Sequence, residues 1–243
     1  MAALPYKHSK SSKKNQVEEM FDNISPRYDL LNHILSVNID KIWRKRAVKK
    51  LARYHPKTIL DIATGTGDFA IATSKIEPDK ITGIDISEGM LKIGRKKISR
   101  IGLTDKIELI KADSENLPFK EKAFDAAVVG FGVRNFENLE IGLAEILRVL
   151  KPGGVFIVLE FSKPRHTPFK QFYNFYFSYI LPFLGKLISK DKRAYNYLPE
   201  SVREFPDGND FIAILKKVGF VNGFWYPQTF GIASIYHVQK PEN

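Results

Sequence analysis

The chain of 243 residues contains no cysteine. That excludes disulfides, a thiolate metal site and a cysteine nucleophile. No apolar stretch follows Met1 in the manner of a signal sequence. No uninterrupted run of roughly 18–20 apolar residues is present that would span a bilayer. Histidine, aspartate and glutamate nowhere cluster at the spacing of metal ligands, so no metal is expected. No internal repeat is visible. These absences point to a cytoplasmic globular protein.

Negative charge is scarce in two places. The whole chain carries 38 Lys/Arg against 27 Asp/Glu, a net charge of +11. Residues 1–57 hold 13 basic against 5 acidic residues, and residues 163–203 hold 8 against 2. Between them, residues 58–162 hold 14 against 16, and the tail 204–243 holds 3 against 4. The excess therefore flanks a near-neutral core. Nucleic acid, an anionic membrane surface or a plain solvated face would each account for it. With 44% hydrophobic and 27% charged residues, the chain can bury the core of one large α/β domain with an elaboration.

What is present is organised around Thr58–Asp68. Ile59, Leu60 and Ile62 read as a strand buried on both faces. Thr64-Gly65-Thr66-Gly67 then breaks the strand, and Asp68–Ala72 resumes as helix. Such a turn aims backbone N–H groups at a nucleotide-like ligand, with no Cβ to hold it away. The spacing from Gly65 to Ala70 also fits a dinucleotide fingerprint, so the motif alone is ambiguous. The acids decide. Asp61 precedes the loop and Asp68 occupies the first helical turn, where a pyrophosphate would meet a carboxylate. S-adenosyl-L-methionine has no phosphate and carries a sulfonium and an ammonium, which acids suit. A second strand, Lys80–Ile84, ends in Asp85, placed to accept the ribose hydroxyls. A third, Ile107–Lys111, ends in Asp113 and Ser114, beside the adenine.

In chain order, residues 1–14 read as a disordered basic tail and Gln16–Phe21 as helix. Residues 1–57 together form a basic tail and N-terminal helical lid, with a helix at Ile39–Ala52. Residues 58–243 form the catalytic domain. Helices follow at Asp68–Ile76 and Ser87–Ile101, the second capped by Ser87. Met90 lies one turn inside it, where it either covers a base or packs in the core. Strand four, Phe124–Val129, runs into Gly130-Phe131-Gly132-Val133-Arg134-Asn135. Helix Leu139–Leu150 stops at Lys151-Pro152-Gly153-Gly154, and Val155–Phe161 is strand five. Residues 163–203 form a helical insert rich in aromatics between Phe169 and Leu187. Phe211–Val218 is a last helix, and Phe224–Tyr226 with Gly231–Val238 alternate like an antiparallel hairpin. Five βα-like units closed by that hairpin predict a Rossmann-like α/β fold of the class I methyltransferase type. Its seven-stranded sheet is mostly parallel.

Two stretches carry a resemblance. Tyr28-Asp29-Leu30-Leu31-Asn32 through Ser36 to Trp43 is one. Arg148-Val149-Leu150-Lys151-Pro152-Gly153-Gly154 through Glu160-Phe161-Ser162 is the other. They resemble the signatures of the quinone-biosynthesis C-methyltransferases, which act on demethylmenaquinone or on the methoxy-benzoquinol precursor of ubiquinone. The likeness runs from about Val17 to the end. Leu31 stands where family members usually have Met, and Asp40 where many have His. The resemblance implies methyl transfer from S-adenosyl-L-methionine to a ring carbon of a prenylated quinol. Its signatures do not distinguish the two precursors, of which we favour that of menaquinone. It places the cofactor at Thr66, Asp85, Asp113, Ser114 and Gly130, to which the glycine turn itself adds Gly65.

A quinol attacks best as its phenolate. Arg134 and Asn135, past strand four, are the candidates to assist that ionisation, unless Arg134 pairs with an acid to hold its loop. Tyr28, Asp29 and His33 would form a lid that excludes water. The aromatic insert would meet the prenyl tail, with Lys186, Lys190, Lys192 and Arg193 at anionic head groups of the inner membrane face. A homodimer is left open. Three other classes compete. A nucleic-acid methyltransferase is disfavoured because the sequence lacks the N/D-P-P-Y/W type of motif used for exocyclic amines and its aromatic-rich insert is poor at holding phosphates, so no nucleic-acid partner is expected. A nicotinamide dehydrogenase is disfavoured by Asp68. A non-catalytic cofactor-binding module would leave the lid and the loop after strand four without a purpose.

Overall fold

A computed structural model describes residues 3–28, 38–175 and 192–242. Seven strands form one sheet: β1 (Thr58–Ile62), β2 (Lys80–Asp85), β3 (Ile107–Lys111), β4 (Phe124–Gly130), β5 (Leu150–Phe161), β6 (Val221–Gln228) and β7 (Ala233–Gln239). Their order is β3-β2-β1-β4-β5-β7-β6. β1 to β5 are parallel, and β7 runs antiparallel between β5 and β6. The order reverses at β1 and β4, whose carboxyl ends therefore flank a crevice.

Helices cover both faces. α1 (Lys13–Ile24) packs apart from the sheet faces, with Ala3, Tyr6 and Tyr197; α2 (Ile39–Leu51) comes next and α3 (Asp68–Thr73) follows β1, both on one face. After β2 comes α4 (Glu88–Arg100), after β4 comes α5 (Leu139–Val149), and after β5 come α6 (Phe169–Phe175), α7 (Lys192–Glu204) and α8 (Asn209–Val218). The hydrophobic positions of the central strands split by parity. Leu60, Ile62, Ala127, Val129, Phe156 and Val158 face α5 and α8, whereas Ile59, Ala126, Val128, Val155 and Ile157 face α2 and α3. Near-continuous apolar strands follow from this two-sided burial.

Four details depart from expectation. β5 starts at Leu150 and not at Val155: the preceding helix ends at Val149, where Lys151–Gly154 are expected to stop it, but those residues already form an irregular entry to the strand, with Phe124 opposite Leu150 and Ala126 opposite Val155. α1 begins at Lys13, because the Ser12 hydroxyl accepts from the Asn15 amide at 3.3 Å and caps it. Residues 3–6 are packed and not part of a free tail, whereas residues 7–12 are exposed. Ala3 and Tyr6 are buried with Val17, Met20 and Tyr197, and Lys7 pairs with Glu200 at 2.9 Å. Asp40 is buried and salt-bridged to Arg44 at 3.1 Å, one helical turn on. Leu31, Asp29 and His33 lie outside the described residues, as do residues 176–191 of the insert with Lys186 and Lys190. Among the described residues no helix is long and apolar enough to cross a membrane.

Candidate active site

At the carboxyl ends of β1, β2, β3 and β4 lies a cavity of about 680 Å³ including its mouth. Of the strand-end acids, Asp85 and Asp113 line it and Asp61 does not, and each is held differently. Asp85 is buried, and its two oxygens accept from the amides of Gly65 (2.8 Å) and Ser87 (2.9 Å). Burial nevertheless pushes its carboxyl up to about 6, against those hydrogen bonds. Asp113 accepts from the Glu115 amide at 2.9 Å and pairs with Lys14 of α1 at 2.9 Å. Asp61 is fully buried one layer back. Its Oδ2 accepts from Thr64 Oγ1 (2.6 Å) and the Ala70 amide (2.9 Å), and burial pushes it up to about 7.

The backbone of the turn is shaped for close approach. Gly65 has φ +56°, and nothing lies within 4 Å of where a Cβ would stand, so any side chain there would project into the cavity. Ala63 after β1 (φ 52°) and Phe131 after β4 (φ 59°) also adopt left-handed backbone, and both line the cavity. Two of the non-glycine residues in that conformation thus sit at one crevice. Gly130, Ser114 and Met90 complete the expected lining, Met90 as a cavity residue.

Two expected contacts fall elsewhere. Thr66 does not line the cavity: it is buried, and its hydroxyl accepts from Lys97 of α4 at 3.1 Å. Lys97 also pairs with Asp68 at 2.7 Å, and Asp68 reaches Arg44 at 3.6 Å. Asp68 thus ties α3 to α4 and α2. Arg134 is likewise not a lining residue. Its guanidinium pairs with Glu160 at 2.9 Å, with both side chains nearly inaccessible, and it also donates to the Phe131 carbonyl and to Ser201 Oγ (3.3 Å). This is the loop-holding arrangement. Among the described residues its Nη2 has no acceptor. Asn135 does line the cavity, and its Oδ1 accepts from the Tyr197 hydroxyl at 3.1 Å.

Residues of α1 close the cavity, and sequence reading passed them over. Lys14, Val17 and Phe21 line it together with Tyr28, whose ring meets that of Phe21 edge-on at 6.0 Å. α1 is fastened at both ends. Lys13 Nζ donates to the carbonyls of Arg134 (3.2 Å) and Phe136 (2.7 Å). Asp22 Oδ1 accepts from Ser87 Oγ (2.5 Å) and the Gly89 amide (2.9 Å), so a lid carboxylate caps α4. The helical spacing of 14, 17 and 21 was the available signal.

The residues present suit S-adenosyl-L-methionine. Asp85 and Asp113 offer acceptors for hydroxyls and an amine, and the acid-lined end suits a cation. Asp61 Oδ1 is a buried acceptor without a partner among the described residues. Among the described residues no group of three or more His, Cys, Asp or Glu is placed to hold a metal ion.

Comparison with known proteins agrees. The chain is 46% identical over 237 residues to a demethylmenaquinone methyltransferase of Bacteroides fragilis, covering 97% of this chain and 96% of that one. It is 45% identical to a ubiquinone/menaquinone biosynthesis C-methyltransferase of Geotalea daltonii, covering 95% and 98%. A crystal structure of a SAM-dependent methyltransferase from Thermotoga maritima superposes with a TM-score of 0.64 at 21% identity, covering 92% and 99%. A phosphoethanolamine N-methyltransferase of Haemonchus contortus with bound S-adenosyl-L-methionine gives 0.58 at 15% identity, covering 81% and 52%. These two share the fold. Residues 9–240 match the ubiE/COQ5 methyltransferase family, and the chain belongs to that family as an S-adenosyl-L-methionine-dependent methyltransferase.

Proposed function

We propose that this enzyme methylates a ring carbon of a prenylated quinol, with demethylmenaquinol as the preferred substrate and the methoxy-polyprenyl-benzoquinol precursor of ubiquinone as the second. The observation that carries the reading is the make-up of the cavity. Its acids, Asp85 and Asp113 after β2 and β3, are joined by Phe131, Asn135 and Phe136 after β4, the ring end, and by Phe21 and Tyr28 of the lid, a lining that suits an aromatic ring bearing hydroxyls. The names of the relatives support the same substrate class.

S-adenosyl-L-methionine, when bound, supplies an electrophilic methyl group. Asp85 would accept from the ribose hydroxyls, and Asp113 with Ser114 would hold the adenine. On the substrate side, a phenol ionises near pH 10, so donors at its oxygen are needed near neutrality. The Asn135 amide donates there. Arg134 supplies positive charge directly behind it, with Nη2 in reserve for an oxygen or a water. Tyr28, with Asp29 and His33 of the same segment, covers the ring. In this reading the enzyme works in the cytoplasm and touches the inner membrane face, where prenylated quinols reside.

The test is methyl transfer from S-adenosyl-L-methionine to reduced short-chain demethylmenaquinol and to the methoxy-benzoquinol, read by mass spectrometry. Asn135→Ala should lower kcat on the order of a hundredfold while leaving cofactor affinity intact. Absence of product from both quinols would overturn the reading.

A further inference from the structure

Among the described residues, the exposed aromatic side chains other than Phe175 gather at one edge of the sheet. β6 is the edge strand, and Phe224 and Tyr226 alternate onto the same face of it, 58% and 39% exposed. Phe230, in the turn to β7, is 63% exposed and stacks on Phe169 at 3.7 Å. Across the ladder from Phe224 stands His237, which stacks on the exposed Tyr54 at 5.3 Å. Five exposed rings on one edge are more than a monomer's surface ordinarily groups together.

Beside those rings runs a stripe of positive charge. Arg46, Lys49, Lys50 and Arg53 follow helical spacing along α2 and the turn after it. Arg46 donates to Gln228 at 2.8 Å, and the Lys50 ammonium sits 3.2 Å over the Tyr226 ring, which fixes the stripe to this edge. Residues 41–57 contain no acid, and residues 219–239 contain no charged residue of either sign. Burial, and after it the nearby Arg53 cation, lower the Lys50 ammonium from its ordinary value. The charge here is uncompensated.

The edge is also joined to the cavity. Phe131 lines the cavity and packs on Phe161 at 4.5 Å, and Trp43 meets both rings at 6.3 and 6.4 Å. Trp43 Nε1 donates to Thr229 Oγ1 at 2.8 Å, next to Phe230. An apolar wall thus leads from the ring end of the cavity to the exposed aromatics.

A second copy of the chain suits this edge poorly. Its four cations would oppose four others, while Pro227 and the irregular pairing between Val221 and Phe224 spoil it for strand addition. Rings flanked by cations with no acids match the interfacial zone of an acidic bilayer. We propose that this edge seats the enzyme on an anionic lipid surface. Phe224, Tyr226 and Phe230 enter the head-group layer, and Arg46, Lys49, Lys50 and Arg53 meet the lipid phosphates. The proposal rests on the prenylated-quinol reading and names the surface through which such a substrate would arrive.

The experiment is flotation of the full-length protein with vesicles of phosphatidylcholine alone and with about one-third phosphatidylglycerol, at low and high salt. The parent should float only with the anionic vesicles, and less at high salt. Lys49→Gln/Arg53→Gln should weaken partition about thirtyfold, at roughly fivefold per charge. Phe224→Ser/Phe230→Ser should weaken it on the order of tenfold. Both variants should keep the parent's melting temperature and its rate on a short-chain quinol in solution. A parent that ignores anionic vesicles at low salt overturns the proposal, as do two variants that both float like the parent. Loss of dimerisation in the ring variant would make the edge a contact between copies. Displacement of vesicles by an oligonucleotide, with only the charge variant affected, would make it a nucleic-acid surface. A parent that methylates soluble quinol yet ignores vesicles overturns this surface alone. A parent that floats but methylates no quinol overturns the substrate reading alone.

Discussion

The two ends of the cavity are built by different means. At the cofactor end, the amides of Gly65, Ser87 and Glu115 hold Asp85 and Asp113. These donors lie 20, 2 and 2 residues from their acids, at the ends of neighbouring parallel strands. At the ring end, Asn135 meets Tyr197 across 62 residues, Arg134 meets Glu160 across 26, and α1 arrives from the far N-terminus. The first end is backbone arranged by a strand–turn–helix unit. The second is a set of side chains gathered from distant segments, and its geometry depends on a buried charge pair.

The difference is sharpest at Arg134 and Glu160. A buried cation and carboxylate are strongly coupled, and removing one partner strands the other without solvent. Burial already pushes Glu160 up, with Arg134 pulling it back. Arg134→Ala should therefore cost about 3–5 kcal/mol of stability in urea unfolding. Replacing both, as Arg134→Met/Glu160→Leu, should recover most of that loss. The recovered protein should still transfer methyl groups on the order of a hundredfold more slowly, because its ring end has lost a donor. If Arg134→Ala unfolds like the parent, the ring end does not depend on the pair and the contrast collapses.

The cofactor end should respond to pH. With its carboxyl at about 6 instead of the ordinary 3.8, Asp85 is protonated over a range where a surface acid is not. The ionised form is the better acceptor for hydroxyls, so affinity for S-adenosyl-L-methionine should fall as pH drops through about 6. For the empty protein the sign is opposite. A raised carboxyl contributes stability that is full below 3.8 and lost as pH rises through about 6. Asp85→Ala should weaken cofactor binding by about 1–3 kcal/mol and flatten this pH dependence, as measured by calorimetry. A steep acid limb surviving in the variant would assign it to another group.

This contrast also explains what the sequence made legible. Strand, glycine turn and helix are local, so β1 to β4, the acids after them and the hairpin could be read from periodicity and punctuation. Gly65, Asp85, Asp113, Ser114 and Gly130 all line the cavity as expected. Thr66 was misplaced because its neighbour Lys97 is 31 residues away and draws its hydroxyl aside. Lys151–Gly154 stops the helix before it, as its composition says, but nothing local shows that pairing with β4 already makes this stretch the start of β5. The N-terminal residues look like a solvated tail because lysines dominate them. Nothing local shows that Ala3 and Tyr6 meet Tyr197, or that Asp22 caps a helix that starts 66 residues on.

The smallest expected effect lies where the two ends meet, at Lys14. Its ammonium is 2.9 Å from Asp113 Oδ2, while Asp113 Oδ1 is taken by the Glu115 amide. Oδ2 is therefore the oxygen that an adenine amine would need, and the lid already uses it. The pair is partly exposed, with the Lys14 side chain 42% and that of Asp113 25% accessible, so its strength is modest and screened by salt. Lys14→Met should release Asp113 and tighten S-adenosyl-L-methionine binding by about two- to threefold at low salt. The difference should vanish at high salt, where the parent's pair is already weakened. Weaker binding in Lys14→Met would instead make Lys14 part of the closed lid that holds the cofactor. The cofactor end would then depend on distant side chains just as the ring end does.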